Sequence, residues 1–252
     1  MNAARNGPSA QKPADADEEP GAAAKALSNI LERGARVQAP AVEAYVQRLR
    51  RANPGGSPAE IITKLEKRYL AAVMASGAAV GSAAAFPGIG TIAALSAVAG
   101  ETVVFLEATA LFVLAVAEVH GIPAGHREHR RALVLSVLVG DDSKGAVRDL
   151  VGPGRTNGAW LGESTAALPL PVVSQLNNRL LKYFVKRYAL RRGAIAFGKM
   201  LPMGIGAVIG GGGNRLMGKK IISNARTAFG PPPGRWPVAV HVLPSARAGA
   251  SG

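Results

Sequence analysis

The sequence predicts an all-α protein, a helical bundle built from Ala- and Gly-rich helical hairpins with disordered termini. Three observations carry that reading. No stretch shows the period-two alternation of a half-buried strand. Apolar residues make up 48% of the 252 but aromatics only 5%, so the core must be built from Ala, Val, Leu and Ile. Such small side chains favour helices that approach closely. The apolar stretches are also punctuated by Pro and Gly at helical spacings, with helix start and stop signals at their ends.

In chain order, residues 1–21 are polar, Pro-containing and aperiodic, the composition of a disordered tail. Residues 22–56 are expected to hold two short helices, near Ala22–Arg33 and Pro40–Arg51, and the linker ANPGGSP. Ser57-Pro58-Ala59-Glu60 reads as a capping box with Pro at the first helical position. It opens a helix carrying Lys64, Lys67 and Arg68. From Tyr69 to Gly100 no residue is charged. Pro87-Gly88 divides that run into arms near Ser57–Ala85 and Thr91–His120. A short helix is expected near Arg130–Leu138, another in DDSKGAVRDLVG, and loop over Gly152–Gly162. Pro169 and Pro171 open a longer helix whose apolar stripe is Leu176, Leu180, Phe184 and Tyr188, spaced by four. A separate helix is expected over Ala194–Met200. The chargeless stretch LPMGIGAVIGGGGN (Leu201–Asn214) follows, then a basic helix to Phe229. Residues 230–252, rich in Pro, Gly and Ala, are expected to be a disordered tail.

The charge is distributed unevenly. Lys and Arg number 30 against 16 acids, and no acid follows Glu163. The acid-free remainder holds thirteen basic residues, among them Arg179, Lys182, Lys186, Arg187, Arg191, Arg192, Lys199, Arg215, Lys219 and Lys220. An anionic partner is implied: lipid head groups, nucleic acid or an acidic protein face. The absence of cysteine removes disulfides, thiolate catalysis and Cys-ligated zinc. The first residues lack the apolar core of a secretory signal, so the chain is expected to begin on the cytoplasmic side.

The charge-free run has the length of a membrane span. Both of its flanks are basic, Lys64–Arg68 before and Arg127–Arg131 after, which suits a hairpin entering and leaving on the cytoplasmic side. Against insertion, the first arm is mostly Ala, Gly and Ser, and a turn divides the run. The second arm also holds Glu101, Glu107 and Glu118, and a carboxylate at bilayer depth costs about 2.5–3.5 kcal/mol. A buried soluble hairpin is the competing reading. These three acids are read as buried ion-pair partners for Arg191, Arg192, Lys199 or Arg215.

Candidate chemistry is sparse. Gly213–Lys220 nearly matches the phosphate loop G-x-x-x-x-G-K-[ST], but Lys220 has no hydroxyl for Mg²⁺ and no strand precedes it. Gly204-x-Gly206 begins a dinucleotide-like pattern whose next glycine, Gly210, falls one residue late. Packing is the better reading: Gly206, Gly210 and Gly213 form a smooth ridge for a neighbouring helix. Pro87-Gly88-Ile89-Gly90 and Pro202-Met203-Gly204-Ile205-Gly206 echo one another, each preceded by Lys-Arg-Tyr. His120, His126, Glu128 and His129 match no metal spacing, so neither metal nor other cofactor is expected. No Gly-x-Ser-x-Gly turn suggests hydrolysis, and scarce aromatics disfavour nucleic acid.

The stretch Leu201–Gly230 resembles the C-terminal pattern of the bacterial EcsC protein family. The residues that carry the likeness are Pro202, Gly204, Gly206, Gly210, Asn214, Ala225 and Phe229. The PGIG turn (Pro87, Gly88, Gly90) and ALFVLAVAEVHGI resemble the family's middle section. The likeness spans about Ser57–Phe229, taken as the EcsC-like helical domain 57–229. It implies a helical, membrane-linked protein without established catalytic residues.

The resulting expectation is a non-enzymatic protein at the cytoplasmic membrane, on its cytoplasmic face or hairpin-inserted. Its basic C-terminal third would meet anionic lipid or a membrane protein. The alternative is a soluble helical enzyme or ligand-binding domain using Glu107 and Glu118 in an apolar cleft.

Overall fold

Ser57 starts the first long helix as its sequence implies. The backbone N–H of Glu60 donates to Ser57 Oγ at 3.3 Å, and Pro58 sits where no backbone donor is required. The computed structural model describes residues 40–83, 91–122, 125–151, 168–199 and 205–237. Among these there are seven helices and no strand, which establishes the all-α fold. They are α1 (residues 40–51), α2 (Pro58–Ala83), α3 (Thr91–Val119), α4 (Arg127–Val139), α5 (Asp141–Val151), α6 (Leu170–Lys199) and α7 (Ile205–Phe229). The expected tail 1–21, the helix near Ala22–Arg33, the PGIG turn, the loop Gly152–Gly162 and the segment Leu201–Gly204 lie outside the described residues.

α2 is packed between α3 and α7 and runs antiparallel to both. The Tyr69 and Phe112 rings stack at 4.7 Å, which sets the α2–α3 register. Glu66 meets Arg226, and Leu70 and Val73 meet Gly218, which sets the α2–α7 register. At Gly218 the helices touch most closely: a Cβ there would stand 3.0 Å from both Leu70 Cδ1 and Val73 Cγ2.

α4 is the most enclosed element. It packs against α3, α5, α6 and α7, and Ala132 through Val137 are buried without interruption. A helix apolar on every side belongs inside. Gly140 ends it at φ +77°, its N–H bonded to the Ser136 carbonyl at 2.9 Å. A side chain at Gly140 would also collide with the Asn224 amide, 2.6 Å from a Cβ.

Three sequence expectations change. α6 is one continuous helix of 30 residues, not two. Gly193 weakens a helix by only about 1 kcal/mol relative to Ala, and no proline falls between Pro171 and Pro202. α1 is no separate appendage, because Val42, Val46 and Leu49 join the common core. Residues 230–237, assigned to the disordered tail, form a strap. Gly230 leaves α7 at φ +76°. Trp236 then donates from Nε1 to the Gly56 carbonyl at 3.0 Å, with Arg50 4.2 Å from its ring centre. Pro237 lies so close to Gly121 that a Cβ there would come within 2.6 Å.

Candidate functional site

Asn214 and Glu101 meet in the core. Glu101 is 2% exposed and Asn214 5%. Asn214 Nδ2 donates to Glu101 Oε1 at 2.8 Å and to the Val73 carbonyl at 2.9 Å, so one amide ties α7 to both α2 and α3. The same device recurs twice. Asn224 donates to the Val137 carbonyl at 2.9 Å, joining α7 to α4. Asn177 donates to the Glu128 carbonyl at 3.0 Å and carboxylate at 2.7 Å, joining α6 to α4. Each of the three amide nitrogens finds an acceptor.

The three acids of α3 therefore separate. Glu101 is held by Asn214 within the core. Glu107 is exposed, contrary to its reading as a buried ion-pair acid, because it falls on the outward side of α3. Glu118 is half-buried; burial pushes its pKa above the usual carboxylate range, repulsion from Glu43 adds to this, and Arg50 opposes it. Neither Glu107 nor Glu118 is among the residues lining the two described cavities. One buried carboxylate has an ion pair that the sequence reading missed. Arg226 donates from Nε to Glu66 Oε1 at 2.7 Å and from Nη2 to Oε2 at 2.5 Å. Glu66 is buried and Arg226 exposed. A separation of 160 residues leaves no local signal for this pair.

The cations of the acid-free third face outward wherever their side chains are described. On α7, Arg215, Lys219 and Lys220 are exposed, and Leu216 among them is 72% exposed. Arg215, Lys219 and Arg226, at i, i+4 and i+11, form one row along the helix. On α6, Arg179 and Lys182 are exposed beside Tyr183, itself 53% exposed. Lys186, Arg187, Arg191, Arg192 and Lys199 continue α6, but their side chains lie outside the described set. Lys220 Nζ is 3.9 Å from Asp141 on an exposed surface, a contact worth little in water.

A cavity of about 420 Å³ opens where α2 begins and where α3 and α7 end. Its walls include Ile62, Phe112, Val116, Phe229 and the strap prolines Pro231 and Pro232, with Glu66, Arg226 and His120 as polar neighbours. His120 stacks on Phe229 at 5.4 Å, and its Nδ1 lies 2.9 Å from the Val116 carbonyl, which fixes the proton on that nitrogen. A shallower cavity between α1, α2 and α3 holds Tyr45, Arg68 and Leu111.

Gly213–Lys220 lies wholly within α7. Its backbone N–H groups are spent on helical hydrogen bonds, so it is no phosphate loop. Of the expected glycine ridge, only Gly213 has described surroundings. Gly206 and Gly210 belong to α7, while a Cβ at Gly212 or Gly213 would meet nothing within 4 Å. Gly218, absent from the expected ridge, packs against α2. Among the described residues no three His, Asp or Glu side chains converge; the His126 and His129 rings stand 5.7 Å apart, and Asn177 takes the Glu128 carboxylate.

Gly100–Val119 of α3 is long and apolar enough to cross a membrane, with mean hydropathy 2.0, yet 61% of it is buried inside the protein. Both a span and the core helix of a soluble domain have those properties. Comparison with family models, curated proteins and solved structures returns no match.

Proposed function

We propose that this chain is a non-enzymatic, EcsC-like helical protein that binds the anionic surface of the bacterial cytoplasmic membrane peripherally. The observation that carries this is the outward face of α7, where Leu216 projects among Arg215, Lys219 and Lys220. Tyr183 beside Arg179 and Lys182 on α6 repeats the arrangement. An apolar or aromatic tip ringed by cations suits a head-group layer: the cations meet phosphates, and the tip enters the acyl boundary. The acid-free third also removes local repulsion from such a surface.

Peripheral contact is favoured over insertion by the burial of α3. Its apolar residues Phe105, Leu106, Phe112 and Val113 are covered by protein, and Glu101 is engaged by Asn214. Insertion would require abandoning that packing.

Flotation with vesicles tests the reading. The protein should rise with vesicles containing one-third phosphatidylglycerol, remain behind with pure phosphatidylcholine, and dissociate as salt increases. Each cation near the surface adds about 1 kcal/mol, so Arg215→Glu with Lys219→Glu should reduce binding at least about thirtyfold. Leu216→Asp should weaken binding with less change in salt dependence. Binding to neutral vesicles equal to that on anionic ones would refute the proposal. Retention in a membrane fraction that only detergent releases would restore the inserted reading.

A further inference from the structure

The cavity at the end of α2, α3 and α7 lies beside the same cationic row. Its Ile62, Phe112, Val116 and Phe229 walls present hydrocarbon, and its volume falls within the roughly 300–1,000 Å³ usual for small-molecule sites. At its rim, both Glu66 oxygens are taken by Arg226. A guanidinium has five N–H donors, so Arg226 keeps three beyond those two bonds. Glu66 is buried and fixes the orientation of the guanidinium, whose side chain is 68% exposed. The rim therefore offers an anion exposed guanidinium donors, whereas the one carboxylate among its lining residues is buried.

We infer that this cavity binds a single-chain anionic amphiphile, its alkyl tail against Ile62, Phe112 and Phe229 and its phosphate or carboxylate head at Arg226. The inference extends the membrane-surface proposal without depending on it. Arg226 shares a row with Arg215 and Lys219, so docking of α7 would bring the cavity mouth to the bilayer. A soluble amphiphile would enter the cavity with no bilayer present.

Calorimetric titration of the full chain with octyl, decyl and dodecyl phosphate, each below its micelle concentration, tests this. Each added methylene should tighten binding about fourfold while the tail still finds wall to cover. Inorganic phosphate should give no saturable binding, and alkyl alcohols of equal length should bind at least about tenfold more weakly than the phosphates. Thr63, exposed at the cavity edge, is the position to block: Thr63→Trp should abolish binding while leaving the thermal melt unchanged. The paired change Glu66→Gln with Arg226→Gln should erase the preference for phosphate over alcohol while keeping the dependence on chain length. Occupancy should also shift the His120 imidazole resonances of the wild type. Equal binding of alcohols and phosphates, or undiminished binding by a folded Thr63→Trp variant, would overturn the inference. Vesicle flotation separates this from the surface reading. Thr63→Trp should still float, whereas Arg215→Glu with Lys219→Glu should lose flotation and keep dodecyl phosphate binding within about tenfold.

Discussion

Replacing Asn214 tests whether one buried amide holds three helices together. Its Nδ2 makes two hydrogen bonds, to Glu101 Oε1 and to the Val73 carbonyl, each worth about 1 kcal/mol net. Asn214→Ala removes both. It also takes one donor from a buried Glu101 oxygen, a further penalty of about 1 kcal/mol. The expected loss is about 3 kcal/mol, or about 6–12 °C in melting temperature for a protein of this size. Asn214→Asp should be worse than Ala by at least about 1 kcal/mol, because it sets a second carboxylate against Glu101 and the Val73 carbonyl. That variant should recover as pH falls, since protonation restores a donor. Urea unfolding followed by circular dichroism measures the series, with unchanged slopes confirming a comparable transition. An Ala variant within about 0.5 kcal/mol of wild type, or an Asp variant no worse than Ala, would refute the clamp.

The other expectations concern glycine, titration and the strap. Gly213→Ala should raise stability by up to about 1 kcal/mol, because the position is helical and open. Gly218→Ala should lower it by about 1–3 kcal/mol by pushing on Leu70 and Val73; two equal results would dismiss the placement of the α2–α7 contact. Burial and Glu43 raise the Glu118 pKa in the folded state, so folding favours its protonated form. Its contribution is present below the ordinary carboxylate pKa and is lost as pH rises through the raised folded value. Glu118→Gln should therefore flatten the stability profile just above the carboxylate range, and an unaltered profile would count against the assignment. Trp236→Ala removes the bond to Gly56 and the stacking of Arg50; a loss of about 2 kcal/mol is expected, with faster proteolysis after Gly230 as a second reading.

The core of α2 and α3 shows how the remaining contacts depend on one another. Tyr69 is buried, and burial pushes its phenol far above the usual range, offset in part by its bond to Thr109. Thr109 donates its single hydroxyl proton to the Phe105 carbonyl at 2.8 Å, so Tyr69 is the donor in the 2.9 Å contact between the two. The chain Tyr69–Thr109–Phe105 thus has one direction, and it places the Tyr69 ring on Phe112.

Local signals in the sequence determined what is local in the protein. The Ser57 cap, the start of α2 at Pro58, the Leu176, Leu180 and Phe184 part of the α6 stripe, and the all-α class depend on interactions within a few residues. Chain spacing encodes these directly. The outward placement of Arg179, Lys182, Arg215 and Lys219 was legible for the same reason, since an unpaired cation avoids the interior. Tertiary structure alone decided the rest. Glu101 and Asn214 are 113 residues apart, Glu66 and Arg226 160, and Trp236 and Gly56 180. No periodicity links positions so distant, so the Glu101–Asn214 contact went unread and the strap was taken for a tail. Gly213 misled for a related reason. Composition marks where backbones could approach, but the rotation of α7 about its axis decides which glycine meets α2. That rotation is set by Asn214 and Asn224, whose amides have acceptors only in one orientation, and it turns Gly218 inward and Leu216 out.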